Sequence, residues 1–337
     1  MNKENLVPKR AIVSSIAILI ILIMGFESPV FAGKSSTETK NKVESFLESS
    51  ASDKTYQEER FTVDGPVKLD VSTSGGHITV KEGKADEVHV RLLVKTGYSL
   101  WGGSDFDPDD YKIVIAQNGN EITALVERKS SGKKWGKNHP SFSFEITSPA
   151  ETTSSLRTSG GHITIQGFRG DQQVRTSGGH ISLDKIWGDV DARTSGGHIK
   201  ISYLEGSLDA RTSGGHINLV NTTGNLNVRT SGGHINAHDI SGSLEARTSG
   251  GNIQCTLQEL TNDLILKTSG GNVSASIPRL SHYELDLSGS AVNVDNLNNF
   301  NGSSQRNRVK GTVGNGGRMI EMSTSGGRVS LTLNPEV

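Results

Sequence analysis

Residues 206–220 read GSLDARTSGGHINLV, and this stretch decides the fold. Apolar and polar residues alternate on both sides of the paired glycines, which is the pattern of a β-strand with one buried face. The residues predicted to point inward are Leu208, Ala210, Thr212, Ile217 and Leu219. The stretch therefore predicts two short strands joined by a glycine turn.

The central motif of this stretch, TSGG, occurs nine times in 337 residues. The copies begin at Thr73, Thr158, Thr176, Thr194, Thr212, Thr230, Thr248, Thr268 and Thr324. The spacing is 18 residues throughout from Thr158 to Thr248, and a degraded copy, LSGSAVNV, begins at Leu287, 19 residues after Thr268. A fixed period of this length is typical of a solenoid in which one repeat is one turn. We predict an all-β fold, a single-stranded parallel β-helix (β-solenoid) of about 18 residues per turn.

Glycine and cysteine positions refine this prediction. The Gly-Gly pair of each motif is predicted to bend the chain by adopting a positive φ, which glycine tolerates best. A second glycine column predicts another corner, at Gly170, Gly188, Gly206, Gly224 and Gly242. The single cysteine, Cys255, falls in an inward column and is predicted to be a buried structural thiol.

The N-terminal segment has the composition of an export signal. Basic residues precede an uncharged stretch at 11–26, and small residues follow up to Ala32. This layout predicts a signal peptide over 1–32, or an uncleaved membrane anchor through residues 11–26. We therefore expect the protein outside the cytoplasm, either secreted, on the cell surface or in the periplasm. A polar linker is predicted over 33–56.

The solenoid domain is predicted to occupy residues 57–337. Irregular β turns and loops are expected at 57–150, regular repeats of 18 to 20 residues at 151–280 and degraded turns at 281–337. The irregular part at each end is expected to cap the open edges of the stack.

Composition and charge exclude several classes of function. The 35 basic residues are balanced by 36 acidic ones, which gives a net charge of −1 and no general attraction to nucleic acid. A single cysteine cannot form an internal disulfide or a cysteine-rich zinc site. Enzymes built on β-helices need a unique cluster of acids or bases, whereas these surface residues repeat from turn to turn. The sequence therefore predicts a non-enzymatic protein.

The sequence resembles the bacterial putative-adhesin family, whose members are exported or membrane-anchored proteins built of β-strand repeats. The resemblance rests on FTVDGPVKLDVSTSGGHITV at 61–80, FEITSPAETTSSLRTSGGHITI at 144–165 and the later GxLxARTSGGHI turns, and it covers about residues 58–336. It implies a β-solenoid with a surface role and no active-site residues. Family members commonly carry Asp where this chain has His after the glycines. A more distant resemblance is to bactofilins, β-helices that polymerise end to end.

A histidine row is the first candidate site. Stacking of the 18-residue units places five histidines in one outward row about 4.8 Å apart, at His162, His180, His198, His216 and His234. Asn252 and Asn272 continue the row. Neutral imidazoles at this spacing could share a divalent metal between turns, which is the one cofactor that the sequence suggests. In the alternative interpretation the histidines stack and keep the row polar.

A basic row is the second candidate site. It consists of Arg157, Arg175, Arg193, Arg211, Arg229, Arg247 and Lys267. One interpretation is a linear site for an anionic polymer, such as a cell-wall glycan. The other is a structural ladder of guanidinium groups, neutralised by the acidic and amide residues two positions earlier on the same face.

These observations together predict an adhesin or cell-envelope scaffold that makes multivalent contacts along its rows. The expected partner is a cell-surface or envelope polymer or protein, or a second copy of the chain, and a membrane only through an uncleaved N-terminal segment. A metal-responsive or pH-responsive surface built on the histidine row is the first alternative. End-to-end self-assembly is the second.

Overall fold

The computed structural model describes residues 54–95, 107–129, 140–295 and 297–334. The predicted signal segment and nearly all of the predicted linker lie outside these residues. No helix within the described ranges is long and apolar enough to cross a membrane. The helical content of the same ranges is one short 3₁₀ turn at Pro108–Asp110.

The described residues form 24 strands that join in one sheet. The N-terminal strands are β1 (Lys54–Thr62), β2 (Val67–Thr73), β3 (Ile78–Glu82), β4 (Glu87–Lys95), β5 (Tyr111–Asn118), β6 (Glu121–Arg128) and β7 (Ser141–Ser148). The strands of the repeats are β8 (Thr152–Thr158), β9 (Ile163–Arg169), β10 (Gln172–Arg175), β11 (Ile181–Trp187), β12 (Val190–Arg193), β13 (Ile199–Glu205), β14 (Leu208–Arg211), β15 (Ile217–Arg229), β16 (Ile235–Arg247), β17 (Ile253–Thr268) and β18 (Val273–Pro278). The C-terminal strands are β19 (Tyr283–Ser288), β20 (Ala291–Val294), β21 (Phe300–Gln305), β22 (Arg308–Val313), β23 (Arg318–Thr324) and β24 (Arg328–Asn334). The predicted all-β, strand-rich solenoid is confirmed.

Successive repeats pair in parallel. Val174 lies opposite Ala192, and Ile181 lies opposite Ile199, so that paired residues are 18 positions apart. Each repeat contributes one strand segment that ends at the TSGG motif and a second that begins after it. The hydrogen bonds between turns keep every copy of a given position in one column, so the surface columns run across the turns.

The predicted inward columns form the core. Leu208, Ala210, Ile217 and Leu219 are all buried. Cys255 is buried as predicted, and its removal from water raises the pKa of the thiol to about 12. A thiol with such a pKa stays protonated at neutral pH and is a structural group.

The threonine of each motif is a buried hydrogen-bonding group. The Thr212 hydroxyl donates to the carbonyl oxygen of Gly197 at 2.9 Å and accepts from the amide of Gly215 at 3.3 Å. The same pair of bonds recurs at the other regular copies, for example at Thr176 and Thr194. The hydroxyl thus links one turn to the turn before it and closes its own glycine turn.

Replacement of Thr212 by Val is expected to lower the free energy of unfolding by about 1 to 3 kcal/mol, because the side chain keeps its volume but leaves buried polar partners unsatisfied. Urea unfolding measures the loss. Thr212→Ser keeps the hydroxyl and should lose less than Thr212→Val. If Val is tolerated as well as Thr, the hydroxyl has no such role.

The paired glycines act by close approach and not by positive φ, so that part of the prediction is wrong. No glycine of a TSGG pair in the described residues has a positive φ. A Cβ added to Gly215 would lie 1.8 Å from the carbonyl oxygen of Gly197 in the preceding turn. The second glycine column, by contrast, adopts φ between +125° and +152° and forms the predicted corner.

The first motif joins the stack despite its distance in sequence. Thr73 pairs with Thr158, and Ile78 pairs with Ile163, although the residues of each pair are 85 positions apart in the sequence. Beyond this turn, β6 and β7 continue the two parallel rows. Antiparallel strands then end them, with β5 on β6, β4 on β7 and β1 on β4.

The C-terminal turns stack out of sequence order. The spacing predicts that the copy at Leu287 follows the turn of Thr268, but Thr268 pairs with Thr324. Strand β19, which contains Leu287, pairs with the far side of β23. The last motif keeps its threonine and both glycines, and Thr324 donates to the carbonyl oxygen of Gly271 at 2.7 Å. The sequence LSGS lacks the groups that this contact requires.

Candidate functional site

The histidine ladder is a row of six stacked imidazoles. Its members are His77, His162, His180, His198, His216 and His234. Neighbouring ring centroids are 4.7 to 5.0 Å apart, and the rings are inclined by 3 to 14°. The five predicted histidines therefore lie together as expected. His77 was missed because of its distance in sequence, although it belongs to a complete TSGGHI motif.

Each imidazole binds the backbone of the next turn. Nδ1 of His180 accepts a hydrogen bond from the amide of His198 at 2.8 Å, and Nδ1 of His198 accepts from the amide of His216 at 2.8 Å. An accepting Nδ1 carries no proton, so the neutral ring carries its proton on Nε2. The ladder thus satisfies one backbone donor in each turn.

Asparagine performs the same task at the end of the ladder. Oδ1 of Asn252 accepts from the amide of Asn272 at 2.8 Å, and Oδ1 of Asn272 accepts from the amide of Arg328 at 2.8 Å. A histidine Nδ1 and an asparagine Oδ1 share the ability to accept a hydrogen bond at this distance from the main chain. This shared property explains why the row can change from His to Asn.

Metal binding through this ladder remains a prediction. A metal needs a free nitrogen lone pair, and the Nδ1 lone pair is already used by the neighbouring amide. Within the described ranges, no group of three or more His, Cys, Asp or Glu side chains is placed to hold a metal ion. Burial and neighbouring imidazoles lower the pKa of His162 and of His198, which favours the neutral, hydrogen-bonding form.

The residues of the predicted basic row, which we call the arginine ladder, form ion pairs with acidic residues of the same and neighbouring turns. Asp191 contacts Arg175 at 3.2 Å and Arg193 at 2.7 Å, so that one carboxylate bridges two turns. The remaining contacts join Arg193 and Arg211 to Asp209, Arg229 and Arg247 to Glu245, Lys267 to Glu321, and Arg157 to Gln173 and Asp70. Hydrogen bonds from the arginines, with Arg247 first, lower the pKa of Glu245.

This pairing agrees with the structural interpretation of the basic row. The six arginine side chains are 39 to 48% exposed, so each pair contributes at most about 1 kcal/mol to stability. The carboxylates also cancel most of the positive charge that would attract an anionic polymer. The seven predicted residues lie in one row, and their role in binding remains a prediction.

A groove lies beside the N-terminal half of the arginine ladder. Its volume is about 630 Å³. Its lining includes the ladder residues Arg157, Asp191 and Asp209. Asp189 belongs to a further column, in which its carboxylate accepts from the amide of Ser207 at 2.8 Å. The groove thus presents carboxylates and hydroxyls in repeated positions.

The C-terminal part of the repeat region matches a known protein family. Residues 217–332 match the model of a family described as Toastrack DUF4097. The resemblance to the putative-adhesin family is confirmed by this match over the turns from β15 to β24. No curated protein matches the chain significantly.

Three solved structures are similar to the chain at low identity. A putative adhesin from Bacteroides fragilis NCTC 9343 is 12% identical, with 82% of this chain and 96% of that chain covered and a TM-score of 0.34. A putative cell adhesion protein from Clostridium sporogenes ATCC 15579 is 9% identical, with 82% and 99% covered and a TM-score of 0.22. A putative lipid binding protein from Parabacteroides distasonis ATCC 8503 is 14% identical, with 83% and 95% covered and a TM-score of 0.32.

Proposed function

We propose that the chain is a non-enzymatic, exported β-solenoid of about 18 residues per turn that acts as an adhesin or cell-envelope scaffold. The observation that carries the proposal is the repetition of its surface. Successive turns present the same side chains at intervals of 4.7 to 5.0 Å along the histidine ladder. A repeated surface suits repeated weak contacts, which together give strong attachment.

The proposed partner is a polymer or protein of the cell surface or envelope. Such partners are themselves extended or repetitive, so several turns can engage them at once. The predicted export signal would place the solenoid outside the cytoplasm, where these partners occur. Enzymatic activity forms no part of the proposal, because the carboxylates of the arginine ladder are engaged in ion pairs that recur in each turn.

Removal of whole turns tests multivalency. Deletion of residues 212–247 joins Arg211 to Thr248 and removes two turns while keeping the TSGG register. We expect the shortened protein to bind bacterial cells or isolated envelopes at least about tenfold more weakly than the full chain, because fewer contacts act together. Co-sedimentation with envelopes measures this change.

A lengthened protein provides the matched control. Duplication of residues 212–229 adds one turn at the same junction and should strengthen binding. Circular dichroism and urea unfolding of both variants establish that the stack still forms. If both length variants bind envelopes as the full chain does, the contacts are not distributed along the turns and the proposal is wrong.

The histidine ladder favours a second candidate function, a surface that responds to pH. Its Nδ1 atoms hold backbone amides only while the rings are neutral. End-to-end assembly gains no such support, because the strand β1 at one edge carries the charged residues Glu58, Glu59 and Arg60. Charged side chains on an edge strand disfavour pairing with another chain.

A further inference from the structure

One corner of the repeat holds a residue in the left-handed backbone region in five successive turns. The residues are Gly167, Lys185, Tyr203, Asn221 and Asp239, with φ between +53° and +91°. Glycine, asparagine and aspartate adopt this conformation readily, whereas a bulky aromatic residue there is an outlier. Tyr203 therefore occupies a position that local folding does not favour, and such outliers cluster at functional sites.

Tyr203 and Trp187 are exposed aromatic residues in neighbouring turns. The side chain of Tyr203 is 55% exposed, and that of Trp187 in the preceding turn is 37% exposed. Trp187 lies opposite Glu205 of the next turn. Tyr203 is two residues before Glu205 in the sequence. The guanidinium of Arg169, one turn earlier, lies 4.7 Å from the centre of the Trp187 ring. These four residues form what we call the aromatic corner.

The charged groups of the aromatic corner differ from those of the arginine ladder. Within the part of the chain that the structure describes, the side chains of Glu205, Lys185 and Arg169 form no hydrogen bond or ion pair, and the Arg169 guanidinium lies over the indole ring. Charged groups without protein partners, next to exposed aromatic rings, leave hydrogen-bonding capacity for a ligand.

We propose that the aromatic corner is a saccharide-binding site for a pyranose-containing glycan of the cell envelope. Aromatic rings can cover the apolar C–H face of a pyranose, while planar carboxylate and guanidinium groups can bind adjacent hydroxyls. Because the corner spans neighbouring turns, it can contact successive sugar units of an extended chain. The inference rests on the proposed function for the source of the glycan, and it places the recognition away from the paired arginine ladder.

The surrounding charges favour a glycan over a lipid surface. Asp184, Asp189 and Glu205 outnumber the basic residues Arg169 and Lys185 near the two aromatic residues, so the corner has no net positive charge to attract an anionic bilayer. Two aromatic side chains flanked by carboxylates also offer little apolar surface for insertion.

Binding to purified peptidoglycan sacculi tests the site. The full-length protein is expected to co-sediment with sacculi, and Trp187→Ala and Tyr203→Asn are each expected to weaken this binding at least tenfold. Tyr203→Asn places at this corner the residue found at Asn221, so it should leave the protein at least as stable as the original. Loss of binding without loss of stability separates a ligand contact from a structural role. Tyr56→Ala, at a 44% exposed tyrosine on β1, is the matched control and should bind normally.

Three results would overturn the assignment. They are failure of the full-length protein to bind sacculi, undiminished binding by both corner variants, and binding to anionic phospholipid vesicles in place of sacculi. If the corner variants lose sacculus binding but still attach to whole cells through several turns, both proposals stand. If they keep both activities, the saccharide site fails and the adhesin proposal survives. If no form of the protein attaches to cells or envelopes, the adhesin proposal fails.

Discussion

Replacement of Gly215 by Ala is expected to lower the free energy of unfolding by more than about 3 kcal/mol, because the new Cβ has no space. It would lie 1.8 Å from the carbonyl oxygen and 2.4 Å from the carbonyl carbon of Gly197. Both are backbone atoms of the preceding turn, so relief of the clash requires two turns to separate. Separation also breaks the hydrogen bond from Thr212 to Gly197.

Gly214 provides a control one residue away. A Cβ added there would have its nearest neighbours at 3.8 Å, and the residue does not have a positive φ. Gly214→Ala is therefore expected to be neutral or to stabilise the protein by about 0.4 to 1 kcal/mol, through the reduced freedom of the unfolded chain. Urea unfolding of both variants decides the matter. If both substitutions lower the free energy of unfolding equally, close packing against the preceding turn is not the reason for glycine at position 215.

The columns of the regular repeats could be predicted because a strict 18-residue period fixes which residues lie above one another. The alternation around Thr212 gave the buried side of each strand, and it placed Cys255 in the core. The order of the turns at the two ends could not be predicted. Thr73 and Thr324 join the stack across long sequence gaps, and stacking depends on complementary backbone contacts that spacing does not encode.

The candidate sites show the same division between position and role. The sequence predicted that His180 and His198 are neighbours, but the bond from Nδ1 to the next amide depends on ring orientation. The replacement of histidine by Asn252 was a usable signal, since the two side chains share an acceptor and little else. Tyr203 and Trp187 were missed by the sequence analysis. The left-handed backbone at Tyr203 lies within a strand-like stretch, and the alternation of apolar and polar residues does not reveal it.

The histidine ladder is expected to make the stability of the protein depend on pH. In the folded protein the pKa of His162 and of His198 is lowered, first by burial and then by the neighbouring imidazoles. A lowered pKa means that the unfolded chain binds protons more readily, so stability is complete above about pH 6.5 and falls as the pH drops toward the folded pKa. Each protonated Nδ1 gives up a hydrogen bond worth about 1 kcal/mol, and adjacent imidazolium ions repel each other by about 1 kcal/mol in water.

Replacement of all six ladder histidines by asparagine isolates this effect. Asn252 already shows that an asparagine Oδ1 accepts the amide of the next turn at 2.8 Å, so the variant should fold with similar stability at pH 7.5. Urea unfolding at pH 7.5 and at pH 5.0 is expected to show a larger drop for the original protein than for the variant, because protonation of His162 or His198 gives up a hydrogen bond worth about 1 kcal/mol. The other titrating groups are common to both proteins, so the difference belongs to the ladder. If the free energy of unfolding drops equally in the two proteins, the hydrogen bonds accepted by the neutral imidazoles do not contribute to the pH dependence of stability.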